Sequence, residues 1–303
     1  MSNALKGDVI LLVTTLLASL GWFFSKEVLS TMPPLQFVSL RFTLAGLILL
    51  LFFWRAFSRV TTTDIWPILK SSLCFALFVN IWLYGMIHIT NLAIGSFIIN
   101  ISFLLVPVLA IFFGERASTL TWISLPIALF GMAFLFLDNE FHFGIGEVLF
   151  VIAAFVFALF FILNGGLSKR YPSSVVVTSQ MLTTGITTAI STLVLPATLA
   201  TWTFQHPTSV WVCLILTIVV TSCLRFSLQT WGQSFASASH ASVIMTLEPV
   251  WVAIISLVVF SQGMTTMQTI GCALMFFAVL LSRSEPLINK VRRKPVSVPH
   301  QSS

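Results

Sequence analysis

The sequence predicts an all-α integral membrane protein with ten transmembrane helices, arranged as two inverted five-helix repeats. Hydrophobic residues make up 57% of the chain and charged residues 8%, against about 25% charged residues in soluble domains. The apolar residues lie in continuous runs close to the roughly 20 residues that a helix needs to cross a bilayer. Half of the runs precede residue 138 and half follow residue 143. An odd-numbered unit followed by its copy enters the membrane the other way up, as in many secondary transporters.

Continuous apolar runs favour helices over barrel strands, in which apolar and polar residues alternate. We expect the first run to be a retained helix, because its apolar stretch from Val9 to Phe24 is long for a signal peptide and no small-x-small cleavage site closes it. The chain then divides into a first repeat (1–138), a second repeat (143–283) and a basic tail (284–303) that we expect to be disordered. The predicted spans are 8–28, 34–54, 66–87, 91–113, 119–137, 144–166, 173–195, 208–231, 239–260 and 264–282.

The distribution of Lys and Arg predicts the orientation, because basic residues concentrate in cytoplasmic loops. With the N-terminus inside, the predicted outer loops carry Lys26 as their single basic residue. Both termini are therefore predicted to be cytoplasmic, and the net charge of +6 expresses this bias rather than affinity for nucleic acid. The basic residues of the predicted inner loops and tail are Lys6, Arg55, Arg59, Lys70, Arg116, Lys169, Arg170, Arg283, Lys290, Arg292, Arg293 and Lys294.

The two halves carry a weak internal repeat that depends on pattern more than on identical residues. One copy runs from Phe112 to Gly131 and the other from Val259 to Ala278. A similar register in the second span of each half places Arg41 near Gln180. The equivalent pairs in the loop copies are Glu115 with Gln262, Thr119 with Thr266 and Ile123 with Ile270.

Short motifs in both halves are typical of one family of transporters. They are Phe37-Val38-Ser39-Leu40-Arg41-Phe42-x-x-Ala45, Gly85 with Thr90, Val106-Pro107-Val108 running to Gly114-Glu115-Arg116, Leu228-Gln229-Thr230-Trp231-x-Gln233, His240-Ala241-Ser242 and Leu247-Glu248-Pro249-Val250. The sequence in these motifs resembles the EamA-like permeases of the drug/metabolite transporter superfamily, over about residues 5 to 283. The most specific of the motifs is Leu-Glu-Pro-Val followed by a loop and a final span.

The resemblance implies ten helices in two inverted halves that move small metabolites across a bacterial inner (plasma) membrane, in many relatives by export. Three residues depart from the family pattern. Ser261 and Gln262 stand where the family often has Gly-Glu, and Arg225 stands where an uncharged residue is usual. One interpretation is that Arg225 marks a subgroup of the family that has its own substrate.

Three charged residues lie well inside predicted spans, where a charge costs about 2.5–3.5 kcal/mol on insertion scales. Arg225 and Glu248 both fall roughly 12–14 Å above the inner boundary at ~1.5 Å rise per residue, so we expect an ion pair between them. The pair has a structural interpretation, in which it fixes helix register. It also has a functional one, in which Arg225 binds a carboxylate or phosphate and Glu248 is its counter-charge or a proton carrier.

The third intramembrane charge is Arg41, which lies about one to two turns from the outer end of the second predicted span. We expect it to line a cavity, and pairing with Glu27 or with a backbone carbonyl is the alternative.

Neutral polar and aromatic residues complete the set of predicted substrate-binding residues. Interhelical hydrogen bonds between neutral groups contribute about 0.6 kcal/mol, so packing is the alternative role for each amide. Core or lipid packing is likewise the alternative for each Trp. Pro107 and Pro249 predict helix kinks in both halves, which often point to a transporter site. The predicted substrate-binding residues are Trp22, Arg41, Asn80, Asn100, Arg225, Gln229, Trp231 and Glu248.

The sequence favours a secondary transporter of small metabolites, such as amino acids or organic anions, that works by alternating access. An intramembrane enzyme would need a nucleophile with its base, or paired carboxylates, and a channel would favour repeated polar rings. No Walker loop, cofactor motif or metal-ligand spacing is found, and His88 and His240 fall near opposite faces. The expected partners are a small-molecule substrate and the lipid bilayer. Substrate identity, direction, proton coupling and homodimer formation are left open.

Overall fold

The computed structural model describes residues 3–58, 60–88, 92–136, 144–194, 202–261 and 265–284. Arg59, Thr90, Gln262 and residues 285–303 of the basic tail, which entered the analysis above, lie outside the described residues. Within these ranges the chain is all-helical and contains no strand. The helices are α1 (Asn3–Leu29), α2 (Pro34–Phe57), α3 (Thr62–His88), α4 (Leu92–Ala110), α5 (Thr119–Phe136), α6 (Ile145–Ser168), α7 (Ser173–Val194), α8 (Thr208–Leu216), α9 (Arg225–Gln233), α10 (Ala238–Met245), α11 (Glu248–Phe260) and α12 (Thr266–Arg283).

Two of the predicted spans contain an irregularity that apolar patterning does not reveal. A π-helical segment, Thr217–Leu224, joins α8 to α9, so the eighth span is one rod with a widened middle. The ninth span is broken at Thr246 and Leu247, between α10 and α11. Pro249 lies in the first turn of α11, where its missing N–H costs no hydrogen bond. Pro107, by contrast, lies inside α4 without ending it.

Each predicted span coincides with a helical segment in the described part of the chain, but the segments differ in length and polarity. Seven are long and apolar enough to cross a membrane. The apolar helices α5 and α12 are shorter, and α7 is long but rich in Thr and Ser. Membrane crossing by α5, α7 and α12 therefore stays a prediction. The seven segments are Asn3–Leu29, Pro34–Phe57, Thr62–His88, Ile94–Phe113, Ile145–Ser168, Thr208–Gln233 and Ala238–Val259.

Several hydroxyl groups of α7 bind the helix's own backbone, whereas the buried Thr184 Oγ1 has no hydrogen-bond partner among the described residues. Thr178 donates to the Ser174 carbonyl at 2.6 Å, and Thr188 donates to the Thr184 carbonyl at 2.8 Å. Such bonds satisfy polar side chains inside an apolar environment. The Thr content of α7 is therefore compatible with a buried helix.

The two most extensive helix interfaces join α2 to α7 and α5 to α12. At the first, Gly46 faces Leu182 and Gly185 faces Thr43, so closely that an added Cβ would lie 2.8 and 2.7 Å from the facing atoms. Thr43 precedes Gly46 on α2, whereas its partner Gly185 follows Leu182 on α7, so the two helices run antiparallel. Glycines allow helices to approach this closely.

The α5–α12 interface is also antiparallel. A Cβ at Gly131 would lie 2.8 Å from the Gly271 carbonyl oxygen, while Thr121, near the start of α5, faces Ser282, near the end of α12, at 3.4 Å between hydroxyls. Both interfaces therefore pack a helix of the first predicted repeat against its counterpart in the second.

The centre of the molecule is a cluster of aromatic side chains from α3, α4 and α6. Phe75 and Phe160 have ring centroids 4.7 Å apart, and Phe78 and Phe157 are equally close. Phe103 meets Phe157 edge to face at 5.5 Å. Aromatic pairs in such arrangements contribute about 0.5–1.5 kcal/mol beyond burial of their area. This cluster forms one wall of the cavity described next.

Candidate functional site

A cavity of about 620 Å³ lies between helices of both predicted repeats. Its lining runs from the buried Arg225 and Glu248 to Lys26, which is exposed, and Gln268, which is half-buried. The cavity therefore opens where α1 ends and α12 begins, which we name the Lys26 end. On α9 the lining stops at Phe226, close to the start of that helix. The opposite end of the molecule carries the start of α1 and the end of α9, and we name it the His240 end.

Arg225 and Glu248 meet deep in the cavity, which confirms the predicted pair. Arg225 Nη2 lies 3.8 Å from Glu248 Oε2, and the two side chains are 11% and 10% exposed. This separation exceeds the usual 2.7–3.2 Å of an N–H···O hydrogen bond. The pair attracts electrostatically without a close bond, so the guanidinium keeps donors for another anion.

Trp22 holds the other oxygen of the same carboxylate. Its indole Nε1 donates to Glu248 Oε1 at 2.8 Å. The Arg225 guanidinium lies 4.2 Å from the ring centre of Phe226, and among the described residues its buried Nε has no hydrogen-bond partner. An unpartnered buried donor on a charged group is costly. The arrangement orients Glu248 firmly and leaves Arg225 under-coordinated.

Arg41 lines the same cavity, as expected, and does not pair with Glu27. Its Nε donates to Ser222 Oγ at 2.7 Å and its Nη2 donates to Thr221 Oγ1 at 3.1 Å. Both hydroxyls belong to the π-helical segment before α9. Glu27 instead accepts a hydrogen bond from Ser209. The described residues give Arg41 no ion-pair partner, so its charge is not neutralised locally.

Charge and shape together define what the cavity accommodates. Its described ionisable side chains are Lys26, Arg41 and Arg225 against Glu248, so positive charge is in excess. Nine of the other lining residues are aromatic, among them Trp22, Phe78, Trp82, Phe103 and Phe157. A cavity with few polar groups on an apolar wall is typical of a small-molecule site.

Asn100 is a further predicted residue that lies at the cavity. Its Nδ2 donates to the Ser96 carbonyl at 2.9 Å, and both residues line the wall. Its buried Oδ1 has no hydrogen-bond partner among the described residues. The structure thus brings Trp22, Arg41, Asn100, Arg225 and Glu248 together around one space.

The other predicted residues, Asn80, Gln229 and Trp231, lie outside this cavity. Asn80 lines a separate groove between α3 and α7, where it donates to Thr187 Oγ1 at 3.3 Å and accepts from Ser191 at 3.1 Å. Trp231 is 48% exposed on the outer surface. Gln229 is fully buried, and neither atom of its amide has a partner among the described residues.

Two contacts between the halves at the His240 end were not expected from the sequence. The Glu115 carboxylate accepts the backbone N–H groups of Ala238 at 3.1 Å and Ser239 at 2.8 Å. It therefore caps the start of α10, where a negative charge is stabilised by the helix dipole. Asp8 meets His240 at 2.9 Å. Both contacts depend on distant elements, so local sequence gives little signal for them.

The phenylalanine lining is another feature that the sequence did not distinguish. The chain contains 29 Phe residues, and every predicted span except 173–195 has at least one. The packing of the helices selects the few that line the cavity, which are Phe23, Phe42, Phe75, Phe78, Phe103, Phe157 and Phe226.

Comparisons with known proteins identify the family of the chain. A model of the EamA-like transporter family matches residues 5–137 and again residues 144–284. One similar protein, an uncharacterized transporter of Archaeoglobus fulgidus, is 31% identical over 151 residues, which cover 50% of this chain and 47% of that protein. A second uncharacterized transporter of the same organism is 21% identical over 199 residues, covering 66% of this chain and 70% of its own length.

A solved crystal structure has the same fold. It superposes with a TM-score of 0.77 at 16% identity, covering 95% of this chain and 99% of that one. At this identity the likeness concerns the fold alone. The family match, in contrast, covers most of the chain in two consecutive segments. The chain belongs to the EamA-like transporter family and is a multi-pass membrane protein.

Proposed function

We propose that this protein is a secondary transporter of small amphipathic organic anions, amino acids included, and that it works by alternating access between two inverted halves. The observation that carries this proposal is the cavity of about 620 Å³, which is cationic in its depth, aromatic on its walls and open at one end. Family membership supports transport itself, and the cavity suggests the substrate class.

The substrate's charge follows from the ionisable residues. Arg41 and Arg225 both line the cavity, and Glu248 is the one described carboxylate there. The planar guanidinium group binds carboxylates in a bidentate manner. An organic anion would therefore neutralise charge that the empty cavity leaves exposed. The aromatic wall favours an apolar body on the same molecule.

Glu248 has two roles compatible with its position. It neutralises Arg225 when the site is empty, and the 3.8 Å separation lets a substrate carboxylate approach that cation. For an amino acid, Glu248 would also attract the ammonium group. We infer that it acts as a counter-charge rather than a proton carrier, because one of its carboxylate oxygens lies 3.8 Å from Arg225 and the other accepts the Trp22 N–H. Dependence of transport on a pH gradient would instead support a role for Glu248 as a proton carrier.

The proposed inversion of the two halves is supported by helix packing. The α2–α7 contacts are reciprocal, because the register that equates Gly46 with Gly185 also equates Thr43 with Leu182. Under that register the contact of Gly46 with Leu182 becomes the contact of Gly185 with Thr43, and both are present. Antiparallel packing of equivalent helices is what a twofold axis in the membrane plane produces.

Alternating access is supported by the unequal ends of the molecule. At the Lys26 end the cavity reaches an exposed side chain. At the His240 end, Glu115 and Asp8 of the first repeat bind residues 238–240 of the second. Breaking these few polar contacts would free that end to open. The described conformation is thus the one open at the Lys26 end.

We also propose that both termini are cytoplasmic and that the membrane is a bacterial inner membrane. The His240 end would then face the cytoplasm, because α1 begins there. The bias of Lys and Arg toward predicted inner loops supports this orientation.

Uptake by proteoliposomes tests the function. A panel of labelled organic anions, amino acids and organic cations is offered with and without a pH gradient, and empty liposomes serve as the control. We expect uptake of anions or amino acids that carry an apolar body. Uptake confined to cations would contradict the proposed substrate class. Absence of uptake for every compound in the panel would contradict the proposed transport of small organic anions altogether.

A further inference from the structure

A cluster of buried amide side chains lies beside the cavity, toward the His240 end. Gln180 Nε2 donates to Asn164 Oδ1 at 2.8 Å and reaches Ser71 Oγ at 3.4 Å. Asn164 Nδ2 in turn donates to Gln233 Oε1 and to Thr230 Oγ1, the latter at 3.1 Å. We name these five residues the amide cluster. They belong to α3, α6, α7 and α9, and all are buried.

The cluster is linked to the cavity along one helix. Arg225, Gln229 and Gln233 follow one another at four-residue spacing on α9, so each lies about one turn below the last. Arg225 lines the cavity and Gln233 belongs to the amide cluster. Gln229 lies between them. A polar stripe therefore continues past the floor of the cavity into the closed half of the molecule.

The stripe is not fully satisfied in this conformation. Gln229 is completely buried, and its Nε2 and Oε1 both lack hydrogen-bond partners among the described residues. Gln180 Oε1 is also unpartnered there. Packing alone does not explain why these amide groups are buried without hydrogen-bond partners. An unsatisfied buried amide destabilises a structure relative to an apolar side chain of similar shape. A second conformation in which these groups meet a polar ligand would explain them.

The pseudo-twofold register identifies what the cluster corresponds to. The reciprocal glycine contacts that equate α2 with α7 also equate Arg41 with Gln180. Arg41 donates to hydroxyls of the rod Thr208–Gln233, the third span of the second repeat. Gln180 donates to the hydroxyl of Ser71 on α3, the third span of the first repeat. The two side chains occupy equivalent places on opposite ends of the molecule.

We propose that Asn164, Gln180, Gln229 and Gln233 form the second half of the substrate path, which contacts the organic anion when the protein opens at the His240 end. The inference rests on the proposed function. The two halves of the path differ in charge, because Gln180 supplies a neutral amide where the Lys26 end has Arg41. We therefore expect weaker binding of the anion from the His240 end.

Cysteine labelling tests the path directly. The four native cysteines are first replaced, and Asn164→Cys, Gln229→Cys and Trp22→Cys are then made singly in the full chain. A membrane-impermeant, charged methanethiosulfonate reagent is applied to one face of reconstituted vesicles at a time. We expect Trp22→Cys to react from the Lys26 end, and both other cysteines to react from the His240 end at least tenfold faster than from the Lys26 end.

Ser124→Cys is the matched control, since Ser124 is fully buried on α5, away from both the cavity and the cluster. It should stay unreactive from both faces. If Asn164→Cys and Gln229→Cys behave like this control while Trp22→Cys reacts, the amide cluster is only packing and the proposal is overturned. Reaction of both from the Lys26 end would overturn it as well.

A second measurement uses the charge difference. The variant Gln180→Arg places a cation at the position equivalent to Arg41. The apparent affinity for a transported anion that is offered at the His240 end should therefore rise about tenfold. Affinity from the Lys26 end should change less than twofold. An unchanged ratio of the apparent affinities measured at the two faces would contradict the proposed path. Failure to find any transported anion affects only the proposed function, because the labelling needs no substrate.

Discussion

The cavity and the amide cluster lie along the same helix, α9, yet opposite kinds of chemistry hold them. The cavity carries Arg225, Glu248 and Arg41, with only loose or neutral partners. The cluster contains neutral amides that mostly bond to one another. Burial of an unbalanced charge is expensive, whereas amides satisfy each other at low cost. The difference is what we expect if the charged half receives a counter-ion while the neutral half stays closed.

The largest expected effect comes from removing the cation of the charged half. Arg225→Met leaves Glu248 without its counter-charge and takes away a bidentate donor. Because hydrogen bonds to charged groups contribute about 1.5–3 kcal/mol, transport efficiency should fall about 10- to 150-fold. Initial uptake rates at matched protein levels measure this. The double variant Arg225→Met/Glu248→Gln restores neutrality and controls for misfolding. Wild-type rates in either variant would remove the pair from the mechanism.

The next prediction concerns the glycine contacts that relate the two halves. Gly185→Ala places a Cβ 2.7 Å from the Thr43 backbone, and overpacking of this kind costs about 1–3 kcal/mol. A drop in the thermal unfolding midpoint in detergent measures it. Gly166→Ala is the matched control, since an added Cβ there meets nothing within 4 Å. Equal stability of the two variants would argue against the tight α2–α7 interface on which the register depends.

How much of this was predictable from sequence depends on whether a feature is local or tertiary. The helical segments followed from apolar runs alone. The Arg225–Glu248 pair followed from counting residues to equal depth on adjacent spans. The π-helical segment and the break at Thr246 did not, because both are settled by packing rather than by composition.

The main limit on predicting the site from sequence was the direction in which each side chain faces. Gln229 and Trp231 lie close together on α9, but Gln229 turns inward and Trp231 turns outward. Residues two apart on a helix lie on different faces, but the sequence does not show which of the two faces is turned toward the interior. For the same reason Asn80 was grouped with the site although it hydrogen-bonds across to α7.

A third prediction sharpens the contrast between Arg41 and Gln180. Arg41→Gln makes the two equivalent positions neutral, and the KM for an anion at the Lys26 end should rise about tenfold through loss of one charge-assisted contact. Kinetics at that face measure it. Arg55→Gln, at the exposed end of the same helix, is the control and should leave KM unchanged. A KM for Arg41→Gln equal to that of the native protein would show that the excess charge does not select the substrate.

The smallest expected effect lies at the His240 end. Glu115→Gln weakens the charged cap on α10, an interaction worth about 0.5–2 kcal/mol, so the closed end should open about two- to thirtyfold more often. The labelling rate of Asn164→Cys in that background measures it. Glu27→Gln, an exposed carboxylate at the Lys26 end, is the control and should not raise this rate. Slower labelling in Glu115→Gln would mean that Glu115 does not help to keep this end closed.

The most direct test of the account measures distances at both ends of one molecule. Spin labels at Lys26→Cys and Gln268→Cys report on the open end, and labels at Lys6→Cys and Ser237→Cys report on the closed end, each pair bridging the two repeats in a background without native cysteines. Adding a transported anion and comparing double electron–electron resonance distances should give changes of opposite sign, with the Lys26 end shortening as the His240 end lengthens. Distances that change together, or that do not change for a substrate that is transported, would contradict alternating access by two inverted halves.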